Sequence, residues 1–213
     1  MSLFITLEGG EGCGKSTQAK LLSARLSRSG YDTALLYEPG VTPLGLELRR
    51  CLKRARHGGI TAEAELMLFA AARSELTATM LLPALQRGAV VVCDRYADST
   101  IAYQGYGRGL PPTIITTVNQ LVTRGLRPDV TVLLDMEPIA ALQRKGPSRD
   151  RFEHESIDFH QRVRDGYLEM ARSDPERWLV FDATRPASII ATAIWSHISS
   201  LLGRASPTAS HSA

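Results

Sequence analysis

The residues best equipped for chemistry lie near the N-terminus, where Gly9-Gly10-Glu11-Gly12-Cys13-Gly14-Lys15-Ser16-Thr17 follows a short apolar run over 3–7. Residues 9–16 fit the spacing G-x-x-x-x-G-K-[ST], the phosphate-binding loop. Glycines let the backbone curl so that several N–H groups point at one anion. The helix beginning near Lys15 adds its positive end to the same spot. Lys15 can reach the β- and γ-phosphates, and the Ser16 hydroxyl is placed to ligate Mg²⁺. A strand before the loop and a helix after it supply the context that the motif needs. The chain binds a nucleoside triphosphate.

A second acidic motif separates the classes of phosphate chemistry. Val90-Val91-Val92-Cys93 ends at Asp94 and resembles a strand whose Asp helps to hold Mg²⁺. Hydrolysing ATPases often place Glu next, to orient water; here Arg95 follows. A guanidinium cannot serve as a base, but it can clamp a second phosphate with two parallel hydrogen bonds. The alternative is a strand-end turn with a surface ion pair. The guanine-reading N-K-x-D pattern is missing, so transfer to a phosphorylated acceptor fits better than hydrolysis. No His dyad or poised carboxylate stands out as a general base. None is required, because a phosphate monoester has a second pKa of about 6 and attacks already ionised. The polar connection with Arg149 and Arg151 reads either as a lid closing cations over the transferring group or as a solvated loop.

These residues need a scaffold. Residues 15–29 carry Ala19, Leu22 and Leu26 at helical spacing and stop at Gly30. A strand over 32–37 leads to the turn Glu38-Pro39-Gly40, and a short basic helix over 44–56 carries Arg49. A longer helix starts at Thr61 and runs towards Gln86, with Pro83 expected to kink or stop it. Leu66, Met67, Leu68, Phe69 and the alanines that follow cover most of its circumference. That predicts burial against the sheet on one side and against a second subunit on another, hence a homodimer. Residues 89–93 form a buried parallel strand, followed by a helical stretch broken by Gly105, Gly107 and Gly109. Further helices are expected over 111–124, 139–145, 158–172 and 187–202, with strands over 129–134 and 178–181. The alternation predicts an α/β fold: a doubly wound, parallel five-stranded sheet flanked by helices. One domain over 1–202 would include a short lid at about 143–155, and the Ser/Ala-rich residues 203–213 are expected to be a disordered tail.

Composition bounds the partners. Lys and Arg total 25 against 22 Asp and Glu, a net charge of +3, with no dense basic run to suggest nucleic acid. Cys13, Cys51 and Cys93 form no C-x-x-C pair, which suits a reducing compartment. No apolar run approaches membrane-spanning length and no signal-peptide core opens the chain, so a cytoplasmic protein is expected.

Six motifs occur in order: Glu11 within the loop, Glu38-Pro39-Gly40, Leu68-Phe69-Ala70-Ala71-Ala72-Arg73, Asp94-Arg95-Tyr96, Ser99-Thr100-Ile101-Ala102-Tyr103-Gln104-Gly105, and Asp150-Arg151-Phe152-Glu153. The set resembles the bacterial thymidylate kinases, P-loop kinases that convert dTMP and ATP to dTDP and ADP. The resemblance runs from the first strand to the last helix. It implies that Gly10, Glu11, Gly12, Cys13, Gly14, Lys15, Ser16 and Thr17 hold ATP, with Arg149 in the lid and Arg185 beside adenine. Mg²⁺ would sit on Ser16 and Asp94. Phe69 would stack on thymine, where composition alone reads it as core, and Arg73 would hydrogen-bond the base. Arg49 and Arg95 would hold the dTMP phosphate beside Glu38 and Pro39. Ser99 and Gln104 would face the base, and Tyr103 the sugar edge, excluding a 2′-hydroxyl. Lys15, Arg95, Arg151 and Glu11 would carry catalysis. Arg151 supplies the lid cation because the loop has no arginine, although Arg149 aligns nearly as well. Two departures stand out: Pro-Gly-Val-Thr after Glu38, where many members have two glycines, and Cys13 where a small residue is expected. The remaining alternatives are a kinase for another nucleoside monophosphate or a deoxynucleoside, or an ATPase or switch.

Overall fold

The structure, a computed structural model, describes residues 2–54, 59–145 and 151–204. Five strands, β1 (Leu3–Glu8), β2 (Thr33–Tyr37), β3 (Val90–Asp94), β4 (Val130–Asp135) and β5 (Trp178–Asp182), pair in parallel in the order β2-β3-β1-β4-β5. Nine α-helices are described: α1 (Lys15–Arg28), α2 (Pro43–Arg54), α3 (Ala62–Leu76), α4 (Leu82–Gln86), α5 (Ala97–Thr100), α6 (Pro112–Thr123), α7 (Pro138–Lys145), α8 (Ile157–Ser173) and α9 (Ala187–Arg204). The expected parallel α/β architecture is present. β1 is central: the chain leaves it for β2 on one side and later crosses to β4 on the other. Connections that diverge in this way open a crevice at the carboxyl ends of the strands.

The period of two along β1 decides which layer each side chain meets. Leu3, Ile5 and Leu7 pack with Leu22 and Leu26 of α1 and with Ile190, Ile194 and Ile198 of α9. Phe4 points the other way, into a cluster with Leu76, Leu81 and Tyr96. On that same face Leu133 meets Tyr103, Phe159 and Tyr167, so α8 covers the sheet beside the crevice. Thr6 shares the face of Phe4 and pairs with Thr131 at 2.9 Å.

Three expectations about where helices break or end are corrected. Pro83 does not stop the long helix. A π-helical turn over Thr77–Leu81 joins α3 to α4, with the Leu82 N–H reaching the Thr77 carbonyl. Proline crowds the carbonyl four residues back, and a widened turn just before it relieves that clash. Gly105 and Gly107 do not break their helix either, since α5 continues into a π-helical turn over Ile101–Gly107. Gly107 serves packing, because a Cβ there would stand 2.6 Å from Cε2 of Phe159. The last helix also passes its expected end: Gly203 and Arg204 belong to α9 rather than to a tail, and 205–213 lie outside the described residues. So do 55–58 and the middle of the expected lid, 146–150 with Arg149; Arg151 opens a 3-10 turn, Arg151–His154. Among the described residues no helix is long and apolar enough to cross a membrane. We expect Gly107→Ala to destabilise the fold by about 1–3 kcal/mol through overpacking against Phe159; urea denaturation checks it.

Candidate active site

The phosphate loop joins β1 to α1 in the crevice. Gly9 has φ of 137°, and a Cβ on it would stand 2.5 Å from the Leu134 carbonyl oxygen. Gly12 and Gly14 also have positive φ, 74° and 94°. Cys13 is buried, its Sγ 3.1 Å from the Gly10 carbonyl oxygen, in space only a small residue can share with Gly9. The Lys15 ammonium bends back over the loop and donates to the same Gly10 carbonyl. The Ser16 hydroxyl donates to the Asp94 carboxylate, so the two expected Mg²⁺ ligands meet although 78 positions separate them.

In front of the loop opens a cavity of about 740 Å³, a size suited to nucleotide-scale ligands. Loop residues Glu11, Gly12, Gly14, Lys15, Ser16 and Thr17 form one wall; Glu38, Pro39, Arg49, Phe69, Arg73, Asp94, Arg95, Ser99, Tyr103 and Gln104 are among the residues that line the others. Gly10 and Cys13 lie just behind, lining a small void under the loop.

Arg95 follows the last residue of β3 with φ of 72°, a left-handed conformation that costs a side-chain-bearing residue about 1–3 kcal/mol. The turn aims its guanidinium across the loop. Nη2 donates to Glu11 Oε1 at 2.6 Å and to the Tyr103 hydroxyl at 3.0 Å. Nη1 donates to the Gly9 carbonyl at 3.2 Å. The Tyr103 hydroxyl in turn donates to Glu11 at 3.0 Å. Burial pushes the Tyr103 phenol well up, so it stays a neutral donor. Arg49 is held at the cavity by the Pro39 carbonyl, 2.7 Å from its Nη1.

The opposite end is aromatic. Phe69 and Phe152 lie with ring centroids 5.8 Å apart, and both line the cavity. Gln104 donates its amide to Glu65 at 2.8 Å, and Glu65 is held by Arg108 at 3.0 Å. Arg73 reaches this end too, but it is only 2% exposed. It donates to Glu38 (3.0 Å), Thr100 (2.6 Å), Asn119 (3.0 Å) and the Tyr96 carbonyl (3.1 Å), which leaves one of a guanidinium's five N–H groups for a ligand. Its larger structural task is to hold Glu38, a 4% exposed carboxyl whose pKa burial raises against the pull of Arg73.

Four residues here were given no site role by the sequence reading. Glu8, Tyr167, Arg144 and the lid-end Phe152 all border the loop or the cavity. A carboxylate ending an apolar strand was the available signal for Glu8, whereas Tyr167 and Arg144 come close only through packing. Burial lifts the pKa of the Glu8 carboxyl to about 7. Arg185 stands outside the cavity wall, in the segment after β5 where Arg144 binds the Ala183 carbonyl at 2.8 Å.

Residues 7–194 match the family model described as thymidylate kinase. The chain belongs to the thymidylate kinase family. It is 50% identical over 204 residues to a protein named thymidylate kinase from Dehalococcoides mccartyi, covering 95% of this chain and 98% of that one. A namesake from Deinococcus radiodurans is 46% identical over 199 residues, covering 92% and 96%. The crystal structure of thymidylate kinase from Ehrlichia chaffeensis superposes with a TM-score of 0.77 at 33% identity, over 92% of this chain and 98% of that one. The family's P-loop kinase fold is therefore the fold of this chain. Removing Arg73 would strand Glu38, so Arg73→Ala should destabilise the protein by about 3–5 kcal/mol at alkaline pH. The loss should shrink in acid, where Glu38 takes up a proton; urea titrations at two pH values check both statements.

Proposed function

We propose that this chain transfers the γ-phosphoryl group of ATP to dTMP, giving dTDP and ADP. The observation that carries the reading is one cavity bounded at one end by the phosphate loop and at the other by Phe69 and Arg73, with Arg95 between them. A triphosphate on the loop and a monophosphate on Arg95 would meet in line.

The acceptor oxygen is already ionised near neutral pH, so the chain's own residues have to orient and neutralise rather than remove a proton. Lys15 would turn from the Gly10 carbonyl to the β- and γ-phosphates. Arg95 would exchange Glu11 for the acceptor phosphate, with Arg49 beside it. Glu11, released, would face the sugar 3′-hydroxyl, and Tyr103 would close the sugar edge against a 2′-hydroxyl. Phe69 would stack on thymine while Arg73 and Gln104 meet its polar edge; Ser99, expected at the base, is engaged by Glu8 and Arg95 instead. Arg151, with Arg149, would bring positive charge over the transferring group. Arg185, after β5, would flank adenine.

Ser16 and Asp94 offer hard oxygen ligands side by side, a donor set suited to Mg²⁺, which keeps its remaining sites for phosphate oxygens and water. Mg²⁺ would neutralise charge developing on the donor phosphates. We place the activity in the cytoplasm, and we read α3 as the interface of a homodimer. Ala64, Met67 and Ala71 lie exposed on one of its faces, with Ile114 and Leu121 of α6 exposed as well.

ADP release with a panel of acceptors tests the reaction: strong turnover with dTMP, weaker with dUMP, and almost none with UMP, thymidine or no acceptor. Arg95→Ala should lower kcat/KM for dTMP by about 100-fold or more while ATP still binds. Retained activity in that variant would refute the assignment of Arg95. Light scattering at micromolar concentration should return twice the chain mass, and a monomeric mass would refute the dimer.

A further inference from the structure

Glu8, the last residue of β1, is wholly buried on the sheet face it shares with Phe4 and Thr6. Its Oε1 accepts the Tyr96 backbone N–H at 2.8 Å. Its Oε2 accepts the Ser99 hydroxyl at 2.6 Å and the Tyr167 hydroxyl at 2.8 Å. Tyr96 directly follows the left-handed Arg95, whose own N–H is held by the Leu7 carbonyl at 3.0 Å. The last two residues of β1 thus grip both sides of the turn that presents Arg95.

The same two hydroxyls also face the guanidinium. Arg95 Nη1 stands 3.3 Å from Ser99 Oγ and 3.4 Å from the Tyr167 hydroxyl oxygen. Each hydroxyl has a single proton. Once given to Glu8, it leaves only lone pairs for Arg95. We propose that Glu8 is the positioning residue of the acceptor-phosphate clamp: it fixes the Arg95 turn and polarises Ser99 and Tyr167 so that their oxygens hold the guanidinium. The inference rests on the reading that Arg95 receives the dTMP phosphate.

The groups facing Glu8 are Asp98 and Ser99 of α5, Arg95 of the turn, Tyr167 of α8 and the Cys93 thiol of β3. Burial, then Asp98, lift its pKa from 4.5 to about 7, against the opposing pull of Arg95 and the two hydroxyl bonds. A protonated Glu8 must itself donate to one hydroxyl, whose proton then turns to the other hydroxyl, 3.0 Å away, or towards Arg95; either turn takes a lone pair from the guanidinium and loosens the clamp. Acceptor capture therefore strengthens as pH rises through about 7. Stability runs the other way. A carboxyl raised on folding contributes fully below 4.5, and that contribution is lost as pH rises through about 7.

Glu8→Gln keeps the shape and an acceptor for the Tyr96 N–H, but it offers an amide N–H₂ to both hydroxyls. With the full chain, ATP and dTMP, and with folding followed by circular dichroism, KM for dTMP should rise about tenfold, the scale of one hydrogen bond to a charged group. KM for ATP should hold. The ionisation near 7 should vanish from the kcat/KM profile, leaving that of the dTMP phosphate at about 6. Tyr167→Phe should also raise KM for dTMP yet keep that ionisation, and it decides the matter if Glu8→Gln does not fold. An unchanged KM for dTMP, or equal rises for both substrates, would overturn the proposal. A wild-type chain without dTMP turnover would instead remove the functional reading on which it rests.

Discussion

A guanidinium cannot shed its charge when it is buried, so the more deeply buried arginines in and behind the cavity wall have to be matched by anions before any ligand arrives. Arg73 is matched by Glu38, Arg108 by Glu65 and Glu155, and Arg95 by Glu11. Buried pairs of this kind add little net stability, because desolvation of both partners offsets their attraction. What they supply is position. The carboxylates sit in the loop after β1, after β2, on α3 and before α8, so the sheet's carboxyl edge and the helices around it are tied together through the arginines.

The pairs differ in how firmly they are closed, and that difference divides the cavity. Arg73 is nearly inaccessible and spends most of its donors on Glu38, Thr100, Asn119 and Tyr96, so it is a fixed part of the wall. Arg95 is more open, with a side chain 16% exposed, and its chief partner Glu11 belongs to the phosphate loop. An arriving phosphate can take the place of a carboxylate there without unfolding anything. The rigid pair lies beside the aromatic end that suits a base, and the exchangeable one lies beside the loop that suits phosphates. A base and a phosphate would thereby rest on separate supports.

Local rules read correctly where one local cause dominated. The apolar runs around Val90 to Val92 and Val130 to Leu134 had to be strands buried on both faces. They failed where a neighbour settled the outcome. Gly107 looks like a breaker but is small so that Phe159 can press against it, and Pro83 looks like a stop but is relieved by a π-helical turn before it. Nothing within either segment announces those neighbours.

The sequence by itself determined the phosphate loop, the five parallel strands and the family, because each depends on residue types at short, ordered spacings that the backbone reads locally. It also named most of the cavity wall, through the motifs that the family resemblance joined. Only the tertiary structure decided which of those residues are committed and which are available. Arg73 is largely spent on Glu38, Thr100, Asn119 and the Tyr96 carbonyl, Arg95 is shared with Glu11, and Glu8 stands behind it on Ser99 and Tyr167, a partner 159 positions away. The reason is that hydrogen-bond partnership and desolvation belong to pairs of groups in space, and no spacing along the chain contains them.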